Sequence, residues 1–135
     1  MTTKIKPTKV GTQVTKEWLL TSVSLRREWV SLPELGADNG TWVREMTGTE
    51  RDQYESDSRK AVGTDTDGLP RYEFNTVNVR ARVAAMCICD EAGKSLLGPA
   101  DAAALGNQSA AALDRVFTVA MRLSGIIGGD ELLGN

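Results

Sequence analysis

Gly40–Glu55, GTWVREMTGTERDQYE, is the stretch from which the rest of the chain is read. Thr41 to Met46 puts Trp42, Arg44 and Met46 on one face and Thr41, Val43 and Glu45 on the other, as a pleated strand requires. Thr47 to Glu50 then fits a capping box. A hydroxyl accepts a bond from the first helical turn, and a carboxylate three residues later reaches back. Glu50 and Asp52 fall in that first turn, where the helix dipole favours negative charge. Arg51 faces Glu55, and Glu55 faces Arg59, at i,i+4 spacing. The stretch therefore reads as a strand that stops at a turn and enters a charged helix over Thr49 to Ala61. Tyr54, Ala61 and Val62 are the strong apolar residues at hand, which places the helix on the surface. Nothing in it is a catalytic signature.

Upstream, Asn39 and Gly40 close a turn cluster that begins at Gly36, so Val30–Leu35 and Thr41–Met46 are expected to form a hairpin. Pro33 confines the first run to a sheet edge or a strand end. Trp29 and Trp42 read as core or cross-strand residues rather than ligand platforms. Val23 and Leu25 alternate with serines, so a small antiparallel sheet is expected from about Trp18 to Met46. Residues 1–16 carry Lys4, Lys6, Lys9 and Lys16 and no acid, whereas the remainder carries 12 basic and 18 acidic residues. This is a flexible basic arm on an acidic body. It reads either as a solvated terminus or as an electrostatic contact for an acidic partner.

Downstream, Gly63–Pro70 reads as a loop. Asp65, Asp67 and Gly68 resemble the start of a calcium loop, but position twelve is Thr76, so calcium is set aside. Asn75 is a candidate cap. Val77–Asp90 fits both strand alternation and helix spacing, and its alanine content favours a helix. Arg80 and Arg82 suit either an anion or a salt-paired face. Gly93 is a turn residue. A short helix is expected over Pro99–Leu105. The clearest helix runs from a cap at Asn107 or Ser109 to Ser124, with Leu113, Val116, Phe117, Ala120 and Met121 on one stripe. Gly125 stops it. The tail, 126–135, places Ile126, Ile127, Leu132 and Leu133 among glycines. These four are the candidate partner-binding residues, because apolar side chains on a tail suit docking onto something. The alternative is that Ile126 and Ile127 fold back onto the body.

The chain of 135 residues suits one domain, and 41% hydrophobic content allows a core. The expected fold class is α+β: an N-terminal antiparallel hairpin or sheet, then a mainly helical part, with 1–16 as arm, 17–125 as domain and 126–135 as tail. With no histidine and a net charge of −2, Ser-His-Asp and Cys-His systems and histidine metal sites are excluded, and nucleic acid is not an expected partner. Phosphate-loop and dinucleotide fingerprints are missing. Cys87 and Cys89 stand two apart without histidine, so they read as small buried apolar residues, not metal or redox ligands. No enzymatic activity, cofactor or metal is expected. Met1 to Gln13 is polar and lacks the apolar core of a secretory signal. The longest apolar run, Val83–Cys89, is too short to cross a bilayer. A soluble, intracellular protein without membrane contact is the expectation.

Three phrases, in order, carry a resemblance. The first is Val43–Glu55. The second runs from Asn75 through Arg80–Val83 to Asp90–Gly93. The third is Asp101–Gly106 followed by Ser109–Phe117, closing on Arg122–Gly125. Together, over about residues 29–125, they resemble the tail assembly chaperones of long-tailed, non-contractile-tail bacteriophages and prophages. Leu96 and Leu97 stand where the family pattern has an aromatic residue. The resemblance implies a non-enzymatic role in the host cytoplasm during virion assembly. Such proteins bind the tape measure protein, keep it soluble while tail tube protein assembles around it, and are absent from the finished particle. It also implies a frameshifted longer form, which would diverge within Gly125–Asn135. The competing expectations are a structural virion protein (tail tube, tail completion or head–tail joining component) and, last, a nucleic-acid binder using Lys4, Lys6, Lys9 and Lys16.

Overall fold

The computed structural model describes residue 8 and residues 10–126. The first element is helix α1, Lys16–Thr21. Thr15 accepts the Trp18 amide through its hydroxyl, Glu17 lies in the first turn, and no residue of α1 is buried. The sheet expected from Trp18 therefore starts later, because a side-chain cap and an acidic first turn favour helix locally. Strand β1, Arg27–Ser31, pairs antiparallel with β2, Gly40–Arg44, with Trp29 opposite Trp42. The expected hairpin forms, but the first strand ends at Ser31. Pro33–Leu35 is a single 3-10 turn, since proline cannot donate to a ladder. Gly36 holds φ +135, and its Cβ position would lie 2.6 Å from Asn39 Nδ2. Val43 and Arg44 are both buried, so both faces of β2 are covered.

Helix α2, Gly48–Asp57, has the expected capping box. The Thr47 hydroxyl accepts the Glu50 amide at 3.1 Å, and the Glu50 carboxylate accepts the Thr47 amide at 2.9 Å. The helix ends four residues before Ala61. Ser56, Asp57 and Ser58 are poor helix formers. Asn75 then takes the terminal carbonyls: its side chain donates to Asp57 at 3.1 Å and its amide to Ser58 at 2.6 Å. The freed chain turns into a ribbon of β3, Arg59–Thr64, and β4, Pro70–Phe74, so strand replaces the end of the expected helix and the loop expected over Gly63–Pro70 forms the turn of the ribbon. Asp65 Oδ1 accepts the amides of Asp67 and Leu69, both at 2.9 Å, and Gly68 takes φ +79. The carboxylate that resembled a calcium ligand is the staple of a hairpin turn.

The ambiguous segment resolves into helix α3, Val79–Cys87, followed by the short strand β5, Ile88–Cys89. Six of the nine α3 residues are buried, among them Val79, Val83 and Cys87. A helix enclosed nearly all round has no single apolar stripe, so either period fits its sequence. β5 pairs with β2, Trp42 opposite Cys89, to complete a three-stranded sheet ordered β1-β2-β5. A 3-10 turn at Pro99–Asp101 leads into α4, Ala102–Leu105, and then α5, Ala110–Leu123, capped by Ser109 and ended by Gly125 at φ +73. α5 packs on α3 and against β1 and β2. Its Val116, Phe117 and Ala120 meet Val43 and Val83 in one core. The fold is α+β, with the antiparallel β1–β2 hairpin early and the helices mainly in the C-terminal part.

Candidate partner-binding surface

A cleft beside α2 and the exposed helix α1 are the candidate surfaces among the described residues. The strand-to-helix junction fixes the frame of one of them. Arg44, 5% exposed, reaches from β2 to Glu50 of α2 in a bidentate pair at 2.7 and 2.9 Å. Its guanidinium also donates to the Glu45 carbonyl at 2.9 Å. The hydrogen bond to Glu50 holds the Arg44 pKa above its ordinary value, against the burial that lowers it. Burial pushes the Glu50 carboxyl up, but Arg44 and the Thr47 amide outweigh it, and the carboxyl sits below its usual range. One carboxylate thus serves both the capping box and the ion pair.

From this junction α2 carries Tyr54 inward to a cleft of about 340 Å³. Tyr54, Ser58 and Arg59 line it from α2 and the start of the ribbon, Phe74 from the ribbon's end, and Ile126 from the residue after the α5 stop. The Ile126 amide donates to the Met121 carbonyl at 2.9 Å, and its side chain packs against the core. Of the four tail residues, then, the structure places Ile126 back on the body. Ile127, Leu132 and Leu133 lie outside the described residues. Burial raises the Tyr54 phenol above its ordinary pKa, with the neighbouring Ser58 opposing it. Neither hydroxyl has a partner of hydrogen-bonding geometry among the described residues.

The second surface is α1. Trp18 is 49% exposed, Leu20 74% and, just past the helix, Val23 81%. With Leu19, also exposed, these make four apolar side chains in the open on and beside one short helix, the kind of patch that marks interaction sites. Reading the Trp18 region as strand hides this surface. The signal that reveals it is Thr15 standing before Lys16 and Glu17, a cap followed by an acid. The Tyr54–Phe74 cleft has no comparable signal, because its two rings come together only through the unforeseen β3–β4 ribbon.

The other residues singled out in the sequence serve the fold. Arg80 pairs with Asp114 at 3.0 Å, and Arg82 donates to the carbonyls of Val77 and Asn75, so the pair is a salt-paired and capping face. Trp29 and Trp42 form a T-shaped cross-strand pair with centroids 5.7 Å apart. Cys87 and Cys89 are buried free thiols, and desolvation pushes Cys87 up to about 12. Among the described residues, no group of His, Cys, Asp and Glu could hold a metal ion, and no helix is long and apolar enough to cross a membrane. Lys4, Lys6 and Lys9 lie outside the described residues, and Lys16 opens α1. No protein-family model, curated protein or solved structure matches the chain.

Proposed function

We propose that the chain is a tail assembly chaperone of a long-tailed phage, acting in the host cytoplasm to hold the tape measure protein soluble until tail tube protein replaces it. The observation that carries this reading is apolar surface left open at α1 and just past it, at Trp18, Leu19, Leu20 and Val23. A long amphipathic helix exposes an apolar stripe and aggregates when alone. A small body offering a few exposed aliphatics and a tryptophan can cover such a stripe as helix-in-groove recognition does. A modest interface keeps the contact displaceable. The order of the Val43–Glu55, Asn75–Gly93 and Asp101–Gly125 phrases supports the same reading. A frameshifted longer form would keep the body and change only the sequence beyond Gly125.

The test is co-expression with a tape measure protein. The chain is expected to raise the soluble fraction of that protein. Replacing Ile126, Ile127, Leu132 and Leu133 by Ser is expected to weaken the rescue while leaving the helical circular dichroism intact. Rescue that is unchanged removes the tail as docking element, and no rescue by the parent chain ends the reading.

The second reading, a structural virion protein, is favoured by the ribbon. Leu69 and Tyr72 stand exposed near the tip and along β4, an arrangement suited to contacts with a neighbouring subunit. Immunoblots of purified particles separate the two. Abundant copies in mature virions favour the structural role.

A further inference from the structure

We propose that the outer edge of β1 is a self-pairing surface. Two copies of this chain join antiparallel through β1, Trp29 opposite Trp29 of the second copy, and their two three-stranded sheets become one. The inference is independent of the chaperone reading.

The phase of the backbone shows which groups are free. β1 ends the strand order β1-β2-β5, and its outer side is unpaired among the described residues. The Leu32 amide donates to the Asn39 carbonyl at 2.8 Å, and the Glu45 amide to the Arg26 carbonyl at 2.9 Å. Bonding sides alternate along an antiparallel ladder, so residues 26, 28, 30 and 32 direct their backbone groups to β2. Arg27, Trp29 and Ser31 therefore direct theirs outward, and all three residues are exposed. The Ser31 carbonyl takes a long bond from Arg115 at 3.4 Å and keeps a second lone pair. The edge is open rather than roofed. A groove of about 400 Å³ runs beside it, with Trp29 and Ser31 on one wall and Asp114 and Thr118 of α5 on the other.

Outward donors and acceptors at strand spacing fit another extended strand. β1 is complementary to itself in one register. A two-fold antiparallel pair centres on a residue that faces its own copy. Centring on Arg27 or Glu28 sets like charges directly opposite. Centring on Val30 or Ser31 brings Pro33 into the ladder, where it has no amide to give. Centring on Trp29 uses all three outward residues, with Arg27 facing Ser31 at both ends. Glu28 then faces Val30, and Arg122 already pairs with Glu28 from α5. Trp29, 50% exposed, gains an aromatic neighbour across the joint. A strand of five residues makes a small joint, which suits a weak dimer with a dissociation constant of about 0.1–1 mM.

Sedimentation velocity on the full chain, from about 0.01 to about 1 mM, is expected to pass from monomer towards dimer. In a mixture of isotope-labelled and unlabelled chains, an Hα–Hα cross-peak is expected between Glu28 and Val30 of different molecules, because such a non-hydrogen-bonded pair brings the Cα atoms to about 4.5 Å. Trp29→Glu and Trp29→Lys are each expected to weaken association at least about tenfold, and a mixture of the two to associate more tightly than either alone. Ser31→Pro removes an outward amide and no bond to β2, so it is expected to weaken association with the β1–β2 pairing intact. It keeps the test decisive if a charge at position 29 disturbs the sheet. A monomer over the whole range overturns the proposal. A dimer that survives both Trp29→Glu and Ser31→Pro overturns it by placing the joint elsewhere. A dimer without the Glu28–Val30 cross-peak overturns the register centred on Trp29.

Discussion

At the scale of single residues, Arg44 and Glu50 are the interaction on which most depends. Arg44 is taken out of water at the point where β2 hands over to α2, and it is neutralised by a carboxylate that also caps the helix. Removing one member of such a pair strands the other charge. Glu50→Gln is expected to lower stability at pH 7 by about 2–3 kcal/mol in denaturant titrations, drawing on the buried pair and the lost cap. The sign of the pH effect comes from the depressed carboxyl. The stabilisation is complete above the unfolded carboxylate range near pH 4 and fades as pH falls through the lower, folded value. Parent and Glu50→Gln stabilities are therefore expected to converge in acid; a constant gap down to pH 2 would falsify this account. Cys87 gives a second residue-scale prediction. A thiol raised to about 12 and sealed in the core is not a nucleophile at pH 8. An aromatic disulfide reagent is expected to find no fast-reacting thiol in the native protein and two after denaturation.

At the scale of elements, the strand, cap and helix of Gly40–Glu55 were legible because each rests on local chemistry. The same holds for α5, whose buried residues lie on one apolar stripe. What escaped was set by distant partners. α2 stops at Asp57 because Asn75, eighteen positions on, takes its carbonyl. The β3–β4 ribbon exposes most of both faces, so its sequence shows no buried alternation to detect. α3 fails the periodicity test for the opposite reason, since it is buried on nearly every side. The ribbon is also the element most separable from the core. A lone two-stranded ribbon is marginal in water, and this one leans on its turn and on Phe74. Gly68→Val forces a β-branched side chain into φ +79. It is expected to raise amide exchange across 59–74 at least tenfold, with α3 and α5 unchanged. Loss of protection in α5 as well would show that ribbon and core unfold together.

At the scale of the whole molecule, the core is the enclosure of α3 by α2, α4, α5 and β2, and α1 stands outside it. Because no α1 residue is buried, deleting residues 1–22 is expected to shift the thermal midpoint by less than about 2 °C while weakening tape measure rescue. A large fall in the midpoint would place α1 within the cooperative unit. The candidate surfaces were only partly legible. Ile126 was singled out as one of four aliphatics among glycines, but its cleft needed two rings from an unforeseen ribbon, and the strand alternation of Val23 and Leu25 with the serines after α1 drew the expected sheet back over the helix. The edge-to-face indoles of Trp29 and Trp42 span the β1–β2 pairing. At a centroid distance of 5.7 Å their transitions are expected to couple and give paired dichroic bands of opposite sign, which should vanish when β1 separates from β2. The sheet thus carries its own optical gauge, and its integrity can be followed beneath the helical signal of the molecule.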